Sequence, residues 1–278
     1  MHASPYFSVI IPTLNEQKFI PKILKSLSKQ TFRDFELIVA DGKSSDKTKA
    51  VVEEYRSCIP GLNIILSDKA NVGYQRNLGA KQANGTYFVF FDADVNIGTT
   101  FLEELHVASI KKNFPLCTTW IEPDSKKSID KVMILLANLA IELAKEVNKP
   151  FAGGYNTVVR RDIFIKLKGF REDMKIGEDH DLALRAFKKD IEITILREPR
   201  LVMSLRRFRT EGTLKVLHKY AQAQIYALVK GPITKELFEY NMGGHVHRKK
   251  IQNSKLKIQN YLKRINNLQK ILIDLLKE

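Results

Sequence analysis

The chain has 278 residues and a hydrophobic fraction of 44%, which excludes a disordered protein and suffices for one large domain with appendages. Its formal net charge of +15 and pI near 9.6 favour anionic partners such as nucleotide phosphates or acidic lipid headgroups, although a general excess of lysine explains the same charge. Because the basic residues lack the aromatic interleaving of a nucleic-acid reader, we expect no nucleic-acid partner.

The chain shows no sign of a membrane-spanning or exported protein. No apolar stretch reaches the roughly 18–20 residues that a transmembrane helix needs, and the first predicted strand already begins by Phe7, so we expect no signal peptide. Cys58 and Cys117 lie far apart without metal-ligand spacing, as in a reduced protein. We therefore expect a cytoplasmic protein, either soluble or peripheral on the cytoplasmic face of the membrane.

The N-terminal part alternates between short apolar runs and segments with helical periodicity. The runs predict strands at 7–11, 35–40, 62–66 and 87–91, and the periodic segments predict helices at 19–27, around 48–55 and at 73–83. Strand and helix alternation with short loops predicts a parallel, doubly wound α/β sheet.

Beyond residue 95 the alternation loosens. The predicted elements there are a helix at 101–110, a strand at 116–121, helices at 129–147 and 178–187, and short strands at 191–196 and 201–205. The strongly apolar helix at 129–147 is either buried or lies at a membrane interface. Gly153 and Gly154 either let backbone approach another group closely or form a bend.

From residue 211 onward the chain has the pattern of a helical extension. An amphipathic helix ends at Gly231, and the tail carries Ile251, Ile258, Ile265 and Leu272 seven residues apart. A homodimeric coiled coil, a helix packed on its own domain and a basic amphipathic helix on a membrane all fit this tail. His245 and His247 lack an evident third ligand, so a polar loop fits them better than a metal site.

Polar clusters follow three of the predicted strands, at 13–15, 41–44 and 92–94. The carboxyl ends of parallel strands meet at one edge of a sheet, so these clusters are expected to converge on one crevice. Asp92 and Asp94 follow the strand at 87–91, and paired carboxylates at such a site suit Mg²⁺ or Mn²⁺. By itself, an Asp-x-Asp sequence is also typical of a solvated turn.

Five segments, in this order, resemble the motifs of family-2 glycosyltransferases: 9–16, 39–48, 73–80, 91–94 and 177–182. The resemblance covers about three quarters of the chain, residues 6–210. It implies the GT-A fold and transfer of a sugar from a nucleotide-sugar to an acceptor hydroxyl or phosphate, with inversion at the anomeric carbon. The chain lacks both the Gln-x-x-Arg-Trp motif and the membrane spans of processive synthases, which favours transfer of a single sugar.

The resemblance also assigns roles on the donor side. The loop residues Pro12, Thr13, Asn15 and Glu16 correspond to nucleoside contacts, and Asp41 corresponds to a carboxylate that binds the base or ribose. At the helix opening, Gly73 precedes Arg76, which would orient a site carboxylate or the donor phosphates. Asp94 would ligate Mn²⁺ or Mg²⁺ directly, with Asp92 as its partner. Turn formation at Asp41 and a surface position for Arg76 are the plain alternatives.

On the acceptor side, Glu178 and Asp179 correspond to the acidic pair that supplies the general base, with Asp179 preferred. Alternatively, the two acidic residues only stabilise the start of a helix through its dipole. His180 is expected at the surface. Arg206 and Arg207 resemble an arginine pair able to hold a diphosphate or a lipid-phosphate acceptor. Solvated charges explain this pair equally well.

Together these observations predict a mixed, mostly parallel α/β sheet of GT-A type with C-terminal amphipathic helices. Residues 1–210 would form the catalytic domain, with a nucleotide-binding half at 1–97 and an acceptor half at 98–210, and residues 211–278 a helical extension for a membrane surface or dimerisation. The expected donor is a UDP- or GDP-sugar, and the expected acceptor is a glycan or a polyprenyl phosphate. The alternatives are a sugar-nucleotide nucleotidyltransferase and a non-catalytic membrane-surface adaptor with a degenerate nucleotide pocket.

Overall fold

The computed structural model describes residues 4–147, 150, 153–238 and 242–244. The strands are β1 (Phe7–Thr13), β2 (Phe35–Asp41), β3 (Asn63–Leu66), β4 (Tyr87–Phe91), β5 (Asn96–Ile97), β6 (Leu116–Pro123), β7 (Asn156–Arg160) and β8 (Ile193–Met203). The helices are α1 (Ile20–Ser28), α2 (Thr48–Glu53), α3 (Val72–Gln82), α4 (Phe101–Lys112), α5 (Ser128–Glu146), α6 (Arg161–Lys166), α7 (Glu178–Phe187), α8 (Arg206–Glu211) and α9 (Thr213–Lys230).

All the strands join one sheet in the order β3-β2-β1-β4-β7-β6-β8-β5. The first four run parallel, whereas β7 is antiparallel to β4 and β6, and β5 is antiparallel to β8. The mixed, mostly parallel sheet is thus confirmed, as is the parallel arrangement predicted for the four N-terminal strands. The separate strands expected at 191–196 and 201–205 form the single strand β8, which pairs with β6 at 193–196 and again at 201–203, on either side of an irregularity in the register.

The alternation of side chains along the strands places one apolar layer on each face of the sheet. Val9 and Ile11 of β1 face α1, whose Ile20, Ile23, Leu24 and Leu27 are all fully buried. Ile10 of the same strand belongs to the opposite layer, with Phe88, Phe90 and residues of α6 and α7. Both layers hold the sheet in place, so the strand ends that carry the polar clusters are fixed relative to one another.

Helix α5 is not the buried helix that one alternative predicted. Only Ile134 and Asn138 are buried, and Asn138 bonds the backbone N–H and carbonyl of Ile121 in β6. The opposite face exposes aliphatic side chains, for example Ile129 by 72% and Leu143 by 65%. Helical periodicity cannot distinguish the two faces, because both are apolar.

The C-terminal part that the structure describes also carries exposed aliphatic side chains. Leu214, Ile225 and Val229 of α9 are exposed, whereas Val216 and Ala223 on the other side of the helix are buried. Among the described helices, none is both long and apolar enough to cross a bilayer. The predictions for the heptad tail and for His245 and His247 concern residues outside the described ranges.

Candidate active site

The loops that follow β1 and β2 are tied together by Asp41. Its Oδ1 accepts a hydrogen bond from the Thr13 hydroxyl at 3.0 Å, and its Oδ2 accepts the Ser44 N–H at 2.9 Å. Both Thr13 and Asp41 are almost completely buried, as is Pro12 within β1. Asn15 has a φ of 54° and accepts the Ser45 N–H at 2.8 Å. These residues shape a rigid loop pair, and their contact with a nucleoside stays a prediction.

Gln75 has a structural role that the sequence motifs do not reveal. Its buried side-chain amide donates to the carbonyl oxygens of Thr13 at 2.9 Å and Ala40 at 2.7 Å. Helix α3 is therefore fastened to the ends of β1 and β2. At Gly73, in the first turn of α3, an added Cβ would lie 3.0 Å from the Arg171 carbonyl oxygen, so the backbone packs closely there. The only sequence signal for Gln75 is its position beside Arg76.

Arg76 is the buried link between the two acidic motifs. Its Nη2 lies 2.8 Å from Asp92 Oδ1 and its Nη1 lies 2.6 Å from Glu178 Oε1, while only 3% of the side chain is exposed. The guanidinium carbon lies 5.4 Å from the centre of the Phe170 ring. Arg76 is thus paired with two of the predicted site carboxylates, and its role in positioning them stays a prediction.

Asp179 is held at the start of α7 by two backbone donors. Its Oδ2 accepts the Gly154 N–H at 2.5 Å and its Oδ1 accepts the His180 N–H at 2.7 Å. A Cβ on Gly154 would lie 2.5 Å from Arg76 Nη1, which confirms that the glycine pair permits a close approach. Glu178 is buried, and burial, together with the charge of Asp179, raises its pKa to about 7.

His180 is buried, so its expected place at the surface is wrong. Helix α7 packs its Leu182, Ala183 and Ala186 into the core, and His180 lies in the first turn of the same helix. Burial lowers the pKa of the imidazole against the raising effect of Asp179 and Asp181, so the neutral form is favoured.

Arg206 joins the first loop to Asp94. Its two terminal nitrogens lie 2.6 and 2.9 Å from the carboxylate oxygens of Glu16, its Nε lies 2.8 Å from Asp94 Oδ2, and its guanidinium packs 4.3 Å from the centre of the Phe19 ring. Burial raises the pKa of Asp94 to about 6; Arg206 opposes this rise, and the neighbouring Asp92 and Glu16 add to it. Arg207 forms a different ion pair, with Glu211 of its own helix.

The structure therefore brings most of the predicted residues into one network. The network contains five acidic side chains and two arginines: Glu16, Asp92, Asp94, Glu178, Asp179, Arg76 and Arg206. The formal charge of these seven groups is negative, which is the condition under which carboxylates bind a cation.

A divalent cation fits the donor set at the end of β4. Asp92 and Asp94 offer hard oxygen ligands, and Mg²⁺ is commonly held by one or two carboxylates together with substrate phosphates and water. Within the described ranges, no three Asp, Glu, His or Cys side chains already converge as a metal site. The chain would therefore supply Asp94 and Asp92, and the remaining ligands would come from the donor and from water.

Solved structures share this fold. One is Staphylococcus aureus TarS 1–349 in complex with UDP-GlcNAc, with a TM-score of 0.61 and 23% identity over 72% of this chain and 58% of that chain. Another is the mannosyltransferase PcManGT from Pyrobaculum calidifontis in complex with GDP-Man and Mn²⁺, with a TM-score of 0.61 and 19% identity over 81% of this chain and 65% of that chain. Both are glycosyltransferases, so the predicted GT-A fold is confirmed.

Curated relatives with a similar sequence are also sugar transferases. The chain is 30% identical over 207 residues to the poly(ribitol-phosphate) beta-N-acetylglucosaminyltransferase TarS of Staphylococcus aureus, which covers 69% of this chain and only 34% of the relative. It is 28% identical over 249 residues to a dolichyl N-acetyl-alpha-D-glucosaminyl phosphate 3-beta-D-2,3-diacetamido-2,3-dideoxy-beta-D-glucuronosyltransferase of Methanococcus voltae, covering 81% and 73%. This chain thus spans about one third of the length of TarS. Residues 8–168 match the family model of glycosyl transferase family 2, and the chain therefore belongs to this family of enzymes.

Proposed function

We propose that the protein is an inverting glycosyltransferase that moves a single sugar from a UDP- or GDP-sugar to an acceptor hydroxyl or lipid phosphate. The observation that carries this proposal is the network in which Arg76 and Arg206 connect Asp92 and Asp94 to Glu178 and to the first loop. In this proposal Asp94 and Arg206 form the phosphate-binding side and Asp179 is the base, the two groups that inverting transfer requires.

On the donor side, Asp94 and Arg206 are the central pair. A Mn²⁺ or Mg²⁺ ion, when bound by Asp94 and Asp92, supplies positive charge to the leaving diphosphate. Arg206 Nε contacts only Oδ2 of Asp94, at 2.8 Å, so Oδ1 of the same carboxylate is available as a metal ligand. The guanidinium beside it is suited to the donor phosphates through its planar array of donors. The UDP-GlcNAc and GDP-Man held by the two structural relatives support a nucleotide-sugar donor.

On the acceptor side, we assign the general base to Asp179. Each of its oxygens accepts one backbone N–H, which fixes the carboxylate and leaves lone pairs for an acceptor hydroxyl. As the acceptor oxygen attacks the anomeric carbon from the side opposite to the leaving diphosphate, its proton passes to Asp179, and this direction of attack inverts the centre. Glu178 is unsuited to this role because it is buried against Arg76.

The test is a thermal-shift screen with UDP- and GDP-sugars, with and without Mn²⁺, followed by a transfer assay with the donor that binds. Asp94→Ala and Asp179→Asn are expected to abolish transfer without unfolding the protein, and the exposed Asp34→Asn serves as the control. Full transfer by either site variant refutes the role of that residue. Stabilisation by a nucleoside triphosphate with sugar-nucleotide synthesis would instead support the nucleotidyltransferase, and nucleotide binding without turnover would support the adaptor.

We also propose that the enzyme acts on the cytoplasmic face of an anionic membrane, where a polyprenyl-phosphate acceptor resides. Helices α5 and α9 each expose an aliphatic face opposite their buried side, and α9 carries lysines but no acidic residue. An apolar face flanked by basic residues is typical of a helix at a bilayer surface.

Co-sedimentation with vesicles tests this location. The wild type is expected to bind vesicles that contain phosphatidylglycerol, and Leu136→Ser with Leu143→Ser on the α5 face is expected to weaken binding. The control pair is Val107→Ser with Ile110→Ser, which are exposed on α4. The membrane proposal is refuted if the wild type does not bind vesicles at low salt. It is also refuted if the α5 variant binds vesicles as well as the wild type while light scattering shows that the wild type is a dimer.

A further inference from the structure

A cavity of about 450 Å³ opens beside Asp94, between α1 and the strands β5 and β8. Lys22, Lys25 and Lys29 line one part of it, and Asp94, Asp124 and Asn96 are among its other lining residues. The motifs that define the family site do not include these lysines. The cavity thus shares Asp94 with the proposed transfer site but adds a second, basic surface.

Lys22 and Lys25 lie at positions i and i+3 of α1, and Lys29 is the residue directly after this helix. All three line the cavity, and we call them the lysine stripe. The opposite face of α1 is fixed in the core through Ile20, Ile23, Leu24 and Leu27, so the direction of the stripe is fixed as well. At a rise of about 1.5 Å per residue, the helical part of the stripe, from Lys22 to the end of α1, extends over about 9 Å, a length that two neighbouring phosphate groups can occupy.

The charge of the lysine stripe is not neutralised inside the described part of the protein. None of the three ammonium groups has a carboxylate within ion-pair distance there, whereas Lys145 and Lys219 do. The two acids of the cavity are already paired with arginines: Asp94 with Arg206 and Asp124 with Arg209. The cavity therefore presents three lysines without an ion-pair partner in the described part of the chain, beside the proposed site of sugar transfer.

We propose that the lysine stripe binds the phosphate groups of the acceptor while its reacting oxygen lies at the transfer site. This inference rests on the proposed function, because it names the acceptor of the same reaction as a phosphate ester or diphosphate. Lysine suits this ligand since its compact ammonium group pairs with phosphate without demanding one orientation. The phosphate comes either from an isoprenyl diphosphate or from a soluble phosphorylated sugar or polyol.

Direct binding measurements test the stripe without needing any donor. Farnesyl diphosphate and glucose 1-phosphate are titrated calorimetrically into wild type and into a triple variant, Lys22→Gln, Lys25→Gln and Lys29→Gln. A control with the same loss of charge carries Lys111→Gln, Lys112→Gln and Lys188→Gln, all exposed, two of them on α4 and the third directly after α7. We expect at least tenfold weaker binding in the stripe variant, at most twofold in the control, and a decline with added salt. Inorganic diphosphate is titrated as well: tighter binding of farnesyl diphosphate than of inorganic diphosphate identifies a lipid-linked source, and equal binding of the two identifies the phosphate alone.

Three results overturn the inference: no binding of any probe to wild type, equal weakening in the control variant, or binding abolished by Arg206→Gln but unchanged in the stripe variant. The last result would place the phosphate in the donor site. Circular dichroism checks that all variants are folded. Donor binding in the stripe variant is expected to be unchanged, so a failed nucleotide-sugar screen would reject the proposed function separately from the stripe.

Discussion

Replacing Arg76 with methionine tests whether its ion pairs, one with buried Glu178 and one with the partly exposed Asp92, hold the site together. The guanidinium is 3% exposed and lies 2.8 Å from Asp92 and 2.6 Å from Glu178. Methionine keeps an apolar side chain in the cavity but leaves both carboxylates without their partner. Removing one member of a buried ion pair costs about 3–5 kcal/mol, a large part of the roughly 5–15 kcal/mol by which a domain is stable.

The unfolding free energy that Arg76→Met removes is expected to depend on pH. Glu178 has a pKa of about 7 in the presence of Arg76, and without the arginine the pKa rises further. In the variant, the Glu178 carboxyl is therefore largely neutral at pH 6, and a neutral carboxyl is affected less by the loss of the arginine. The variant is expected to lose more unfolding free energy at pH 8 than at pH 6.

Urea unfolding followed by circular dichroism and by fluorescence of Trp120, the sole tryptophan, measures this loss. The matched control is Arg171→Met, which removes an exposed ion pair with Asp173 and is expected to change stability by about 0–1 kcal/mol. If the two variants differ by less than about 1 kcal/mol at pH 8, the buried pairs do not contribute what their geometry implies.

Further variants follow from the same network. Asp179→Asn is expected to retain donor binding in the thermal-shift screen while transfer falls at least a hundredfold, the effect typical of removing a general base; retention of transfer would reject Asp179 as the base. Arg206→Gln is expected to raise the KM for the nucleotide-sugar, and an unchanged donor KM in steady-state assays would argue against its phosphate role. Folding raises the pKa of Glu178 from 4.5 to about 7, so the stability that this group contributes at acid pH is lost as the pH rises through this range, by at most about 3 kcal/mol. Glu178→Gln is expected to flatten the dependence of the unfolding free energy on pH, as measured by urea unfolding. Gly154→Ala places a Cβ 2.5 Å from Arg76 and is expected to lower the melting temperature, whereas Gly98→Ala, with open space around it, serves as the calorimetric control.

The order of the elements as far as β4 followed from the sequence. The predicted strand at 87–91 has the same bounds as β4, and the predicted strands at 7–11 and 35–40 differ from β1 and β2 only at the C-terminal end. Apolar runs and helical spacing are properties of neighbouring residues, so they can be read without knowing the fold. Because parallel strands end at one edge, the same pattern also indicated that the polar clusters converge.

The partners of the site residues were decided by the tertiary structure. Arg206 pairs with Glu16 across 190 positions of the chain, and Arg76 reaches Glu178 across 102. Such contacts depend on the summed geometry of many elements, so no local pattern shows which of Arg206 and Arg207 enters the site. The exposed face of α5 could not be predicted for the same reason. The helix is apolar on both sides, and only its packing on β6 determines which side is covered. The sequence alone determined which residues lie at the ends of the strands, and the packing of distant elements determined which of them meet.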